Sequence, residues 1–420
     1  MLTPRIQRPF EVFSNANSIA LSGHFDISKI QFVTRTLRSL IEERGYQDIK
    51  LDFTDCLFTH APPMLALITS CDHYRSQGVD FELMLPRTET LSRLFVNSNW
   101  AHIIQPERYQ QSDFQSSVHM SAVRYATPDE QYRLVNDSLN KFLASATDFE
   151  RSHLKALEWS INEITDNVLV HSHSPNGGLV QLTAMKKKTV EFVVCDRGIG
   201  IPKSFKSSGI DFGSDVHALS KAIEQGVTRD KSVGQGNGLY GSYKIAVKSG
   251  AHFSVHSGNA TLYYTPKSGM HTKRESIPMI GTMVVCAIDY TSSLLLEEAL
   301  DIKGAKFSPI DLIESQYETG DDGNIMFILK DHADSLGSRN AGTPVRNTLK
   351  NLIRFLDGNR VIVDFAGIHL ISSSFADEVF GKLFLDLGPL DFSTRLEFKN
   401  MDQTVKLLID KAILQRMNSK

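Results

Sequence analysis

An α+β sandwich in the middle of the chain, flanked on each side by an α/β layer, is the architecture the sequence predicts. Three observations predict it. Residues 1–117 and 323–420 alternate strand-like apolar runs with amphipathic helical stretches, the pattern of α/β layers. Residues 118–292 instead place helices first and strands later, which is the order of an α+β domain. The two flanks also resemble each other without a gap: LDFTDCLFTHAPPMLALI from Leu51 and VDFAGIHLISSSFADEVF from Val363. Both read as a buried strand ending in Asp-Phe, a short loop with one apolar residue, and a helix start.

In the first flank SIALSG, IKLDF and FELML read as strands, and ISKIQFVTRTLRSLIEER and PMLALITSCDHYRSQG as helices. The polar stretch QPERYQQSDFQSSVH marks its end. The middle opens with helices in DEQYRLVNDSLNKFLASA and FERSHLKALEWSINEITDNVLVHS. LVQLTAMKKK, TVEFVVCD, AHFSVHSG, ATLYYT and TMVVCAIDY follow as strands. Residues 201–233, containing Gly and Ser, read as a mobile loop with a helix in it. Residues 293–322 form a linker. In the last flank IMFILKD, RVIVDFAG and RLEFKN are strands, and TPVRNTLKNLIRFL, SSFADEVFGKLFLDLG and MDQTVKLLIDKAILQRM helices.

The 420 residues exceed one compact core, and 41% hydrophobic with 22% charged residues is a globular balance. A formal charge of −3 gives no global basic excess, which argues against nucleic acid and leaves room only for a local patch. Four widely spaced cysteines with no CxxC pair are no disulfide scaffold and favour a reducing compartment. Cys56 with His60, and Cys71 with His73, are looser pairs than zinc sites use. The N-terminus lacks a signal-like apolar run and no long apolar window occurs, so a cytoplasmic protein with no membrane contact is expected.

Three motifs carry the chemistry. In INEITDNVLVHS, Glu163 and Asn167 lie one turn apart on one helix face. An amide oxygen suits Mg²⁺, and a carboxylate one turn away can orient a water or accept its proton. Asp166 points elsewhere. Next, VEFVVCD runs into RGIGIP, where Asp196 at a strand end can accept from an exocyclic amine such as adenine N6, with Gly198 and Gly200 turning tightly beside it. Third, GQGNGLYG sets Gly234, Gly236, Gly238 and Leu239 at a helix start, a cradle for phosphate oxygens. Gly281-Thr282 then precedes the last strand of the middle segment.

That order of motifs resembles the GHKL superfamily, the Bergerat-fold ATP-binding domains of gyrase B, heat-shock protein 90, MutL and histidine kinases. The resemblance spans residues 118–292, and no Walker-type GxxxxGK[ST] is present. It implies ATP and magnesium as cofactors: Asn167 holding Mg²⁺, Glu163 as general base and Asp196 binding adenine. By the same resemblance Gly198 and Gly200 pack against the nucleotide, Gly234, Gly236 and Gly238 close on the phosphates, Thr282 supports the base, and 201–233 is the lid. The last flank resembles the STAS-like module DUF4325, and residues 1–117 read as a second STAS-like copy. In anti-sigma-factor antagonists of STAS fold a loop serine is phosphorylated; Ser373, beside Ser372 and Ser374, takes that place here. Helix capping by these hydroxyls is the plainer role. The first copy has Thr59-His60-Ala61 and Pro62-Pro63 instead, so it is a binding or structural copy.

Other candidates have plainer readings. His153 is expected to be a solvent-facing helical residue, His171 and His173 to sit in a turn, and Lys186-Lys187-Lys188 to form a hairpin turn. The expected function is a Mg-ATP-dependent ATPase acting as a regulatory switch on its STAS-like domains or an unidentified protein partner, in bacterial signalling or stress/defence. Self-association as a homo-oligomer is compatible with it. A serine/threonine kinase of the anti-sigma type and a non-enzymatic, nucleotide-stabilised binding module are the alternatives.

Overall fold

A computed structural model describes residues 10–112, 120–146, 149–185, 188–224, 226–227, 238–291, 312–318, 323–356 and 358–418; every statement below concerns these. The chain packs as two compact units, Met1–Val135 with Trp159–Lys306, and Asn136–Glu158 with Phe307–Lys420.

The first unit opens with strands β1 (Glu11–Asn15) and β2 (Ser18–His24), helix α1 (Ile30–Arg38), β3 (Asp48–Asp52), β4 (Cys56–Phe58), α2 (Ala61–Arg75), β5 (Asp80–Met84), α3 (Glu89–Asn97) and α4 (Trp100–Ile104). The sheet order is β1-β2-β3-β5, with β4 also on β2, and every pairing except β1 with β2 is parallel. The expected strands are all present, and β1 and β4 add to them.

Helix α2 explains how this layer joins the next. Pro62 and Pro63 start it, where missing N–H groups cost nothing. From Ala61 to Cys71 every side chain is buried, and Thr69 and Ser70 turn their hydroxyls onto Leu65 O and Ala66 O. A helix apolar all round needs cover on all sides. Its own sheet supplies one side; the middle sheet supplies the other.

That middle sheet contains β6 (Val123–Tyr125), β7 (Gly178–Met185), β8 (Thr189–Asp196), β9 (Phe253–Thr265) and β10 (Gly269–Asp289), in the order β6-β7-β8-β10-β9 and antiparallel throughout. Leu179, Val193, Cys195, Met283 and Val285 from its face share one core with Met64, Leu67 and Phe95. Within that seam the Trp100 indole donates to Gln181 Oε1 at 2.8 Å, so neither buried polar group is orphaned. AHFSVHSG and ATLYYT, expected as two strands, are one: the β9–β10 ladder absorbs the irregularity as register shifts between Arg274 and Met279 and between Met279 and Thr282.

Helices α5 (Pro128–Ser145), α6 (Arg151–Asn167), α7 (Ile201–Ser207), α8 (Asp215–Ala222) and α9 (Gly238–Ser249) complete the middle segment. The division between units falls inside α5 and α6. His153, in the early part of α6, is buried rather than solvent-facing: its Nδ1 accepts from Glu150 N at 3.0 Å, so the ring caps the helix start.

In the second unit β11 (Ile325–Ile328), β12 (Val361–Asp364) and β13 (Leu396–Lys399) pair in parallel, with β12 central. Around them run α10 (Arg339–Phe355), α11 (Ser373–Ala376) continuing through a π turn into α12 (Lys382–Arg395), and α13 (Gln403–Asn418). Asn347 and Asn351 of α10 donate to Ala144 O, Leu143 O and Ala146 O, satisfying carbonyls that end α5.

The likeness between the flanks extends to hydrogen bonds. Asp52 Oδ1 accepts from Thr54 N, and Asp364 Oδ1 from Ala366 N, both at 2.9 Å. Cys56 N bonds Phe53 O, and Ile368 N bonds Phe365 O; Phe53 N reaches Met84 O on β5, and Phe365 N reaches Lys399 O on β13. The helices then begin at the aligned positions Ala61 and Ser373. Among the described residues no helix is long and apolar enough to cross a membrane.

Candidate nucleotide site

The second half of α6 presents the two expected side chains. Glu163 and Asn167 are partly buried on the helix face, whereas Asp166 is exposed. Neither Glu163 nor Asn167 makes a side-chain hydrogen bond among the described residues, so both remain available to a ligand. Burial, with the Asp166 charge adding to it, raises the Glu163 carboxyl to about 7. The helix is clamped from behind. Tyr125 OH donates to Thr165 O at 3.0 Å, and Gln131 Nε2 to Thr165 Oγ1 at 2.9 Å. After Asn167 a π turn over Val168–Ser172 ends at His173 in the left-handed region (φ 53°), so His171 and His173 do lie in a helix-end turn.

Asp196 ends β8 and is buried. Its Oδ1 accepts from Gly198 N at 2.7 Å, and the Thr282 amide also donates to it. Burial outweighs these bonds and holds the carboxyl at about 7. Gly281 has φ 68°, and a Cβ there would collide with the Asp196 carbonyl and carboxylate, so only glycine lets β10 come this close. Gly198 lies against Ser172, whose carbonyl accepts from Ile199 N at 2.8 Å. Gly200 precedes α7. The glycines of this loop thus lie directly against the end of the α6 turn, at Ser172, and against Ser257 and Gly281.

Ser257, which nothing in the sequence singled out, ties these pieces together. It is fully buried; its Oγ accepts from Ile201 N at 2.8 Å and lies 3.1 Å from Gly281 O and 3.0 Å from Thr282 Oγ1. Arg197 was equally overlooked, although it stands inside the DRGIG run. Its Nη1 donates to Asp72 O, in the last turn of α2, at 2.6 Å.

The segment expected as a mobile loop with a helix in it contains two helices, α7 and α8, among its described residues. Phe205, Ala218 and Ala222 form a small apolar cluster with Ile201, Ile210, Phe212, Val227 and Leu239. Phe205 and Phe212 meet edge to face, Ser214 caps α8, and Asp215 Oδ2 accepts from Asn259 N at 2.8 Å. These apolar residues are spaced too irregularly for a periodic reading, yet two short helices converge them. The Leu239 side chain, at the start of α9, packs on this cluster. Gly234 and Gly236 lie outside the described residues, as do Lys186 and Lys187. Gly238 opens α9 directly against Glu163, where a Cβ would strike its Oε2.

Glu163 thus meets Gly238, with Asn167 one turn along the same helix, while Asp196, Gly281, Thr282 and Ser257 form a second connected group around the ends of β8 and β10. Residues 153–291 match the family of histidine kinase-, DNA gyrase B- and HSP90-like ATPases. The middle of the chain is a GHKL-type ATPase domain. Residues 341–406 match the STAS-like domain of unknown function DUF4325. Among solved structures, the chain is similar to the histidine kinase domain from the Erythrobacter litoralis EL346 blue-light activated histidine kinase. The identity is 13%, covering 66% of this chain and 99% of that one, and the TM-score of 0.18 lends that similarity no further weight. No curated protein matches the chain.

Proposed function

We propose that the GHKL domain binds Mg-ATP and hydrolyses it slowly, and that its nucleotide state switches the interactions of the STAS-like domains or of a protein partner. The observation that carries this reading is Glu163: a partly buried carboxyl with no hydrogen-bond partner, titrating near 7, one helical turn from an unengaged Asn167. A general base is most effective when its pKa lies near the working pH. The Asn167 carboxamide is a hard, neutral oxygen donor, which fits magnesium shared with phosphate oxygens. Bound there, the metal would neutralise phosphate charge. Glu163 would orient a water and take its proton, while Asp196 would accept from the adenine amine and the short side of Gly238 would leave room beside the carboxylate.

Phosphotransfer to serine is the second reading, favoured by the exposure of Ser373 between half-buried Ser372 and Ser374. Incubating the full chain with γ-labelled ATP separates the two. Label released as free phosphate supports hydrolysis; label retained on protein, and lost in Ser373→Ala, supports the kinase. Glu163→Gln should keep nucleotide affinity and lose turnover by about 10²-fold. Asn167→Ala should lose Mg-dependent ATP binding in calorimetry. Unchanged turnover and affinity in these two variants would overturn the site assignment.

A further inference from the structure

Beside the core that the N-terminal layer shares with the GHKL domain, two sets of hydrogen bonds tie the layer to the strand ends that carry Asp196 and Thr282. The first is Arg197, the residue directly after Asp196. Its guanidinium sits at the C-terminal end of α2, where helix carbonyls concentrate negative charge and favour a cation. That end is itself fixed: the Asp72 carboxylate, nearly buried, binds Arg124 at 2.6 Å and Arg75 at 3.1 Å. A shift of α2 is therefore transmitted to the residue next to Asp196.

The second point is Gln31 on α1. Its side-chain amide makes both bonds of a strand partner to Ile277: Nε2 donates to Ile277 O and Oε1 accepts from Ile277 N, each at 3.0 Å. Arg35 adds a bond to Ser276 Oγ at 2.8 Å. These bonds fall where β10 loses register with β9, between Arg274 and Met279. Gln31 replaces the missing ladder, and the strand then reaches Gly281 and Thr282.

Between these points the seam is not solid. A cavity of about 230 Å³ opens beside them, lined among others by Ile30, Leu37, His73, Tyr74, Pro278 and Met279. At that place the Gln31 and Arg197 hydrogen bonds bridge the seam in addition to the packing around α2.

We infer that the N-terminal layer is a positioning element for the adenine side of the nucleotide site, with Arg197 and Gln31 as the positioning residues. This rests on the ATP reading above. Asp196 and Thr282 take their places from α2 and α1, whereas Glu163 and Asn167 take theirs from α6. Any ligand or partner that moves the N-terminal layer would alter the hold on the base and leave the hydrolytic carboxylate untouched.

The test uses the full chain with Mg-ATP, titrated calorimetrically and assayed for phosphate release. The Arg197→Ala, Gln31→Ala double variant should bind ATP about tenfold more weakly, equivalent to about 1.4 kcal/mol. Binding stoichiometry and turnover at saturating ATP should stay as in wild type. Arg197→Lys, whose ammonium can still reach a carbonyl, should recover part of the affinity when paired with native Gln31. An unchanged dissociation constant overturns the inference. So does a fall in stoichiometry at constant affinity, which would report lost fold rather than lost positioning. If wild type itself takes up no ATP, the ATP reading fails first, and that outcome is distinct from either.

Discussion

Asp196 and Glu163 both hold their protons to about pH 7 because burial removes the water that would stabilise their charge. Each has a folded value above its unfolded one, so the stability each contributes is complete below about pH 4 and is lost as pH rises through 7. For Asp196 the shift corresponds to about 4 kcal/mol at most. Without nucleotide, wild type should therefore lose melting temperature between pH 4 and 7, and Asp196→Asn, which can still accept from Gly198 N and the Thr282 amide, should lose less. Parallel pH profiles would overturn the burial account. At this scale the sequence made the placement of Glu163, Asn167 and Asp196 legible, because helical spacing and a strand-end carboxylate are local patterns. It left Ser257, Arg197 and His153 illegible. Their roles depend on partners distant in sequence or on a backbone N–H that a ring happens to reach, and a single serine in AHFSVHSG carries no local mark.

Among the elements, the serine run of the last flank shows how capping chooses one hydroxyl. Ser372 has extended backbone and accepts from Phe375 N at 3.0 Å, while Ser373 is already the first helical residue and is exposed. Ser372→Ala should cost about 1 kcal/mol in urea unfolding, and Ser373→Ala close to nothing. Equal losses would mean that both hydroxyls are structural. The strand-loop-helix unit was readable twice because Asp-Phe and loop length recur, and the Asx turns at Asp52 and Asp364 give that recurrence a physical cause. Of α7 and α8, the sequence indicated one helix without its bounds. They are short, and their apolar residues pair with each other only after Phe205 and Phe212 are brought together.

At the scale of the molecule, residues 1–117, 118–292 and 323–420 read as three successive segments, but packing does not stop at those limits. The first unit joins the N-terminal layer to the middle sheet, and the second gathers Asn136–Glu158 with the last flank. Sequence patterns report which residues are apolar, not which surface covers them, so the shared core around α2 was invisible until the sheets were placed. That core has a practical consequence for anyone dissecting the protein. An expressed fragment starting near residue 120 would leave Leu179, Val193, Cys195, Met283 and Val285 as an uncovered patch. Such a fragment should precipitate or associate in light scattering, whereas the full chain should not. If the fragment stays monomeric and soluble, α2 is a removable cover. If it does not, the ATP domain has no free-standing form, and any catalytic comparison made on an isolated domain would describe a different object.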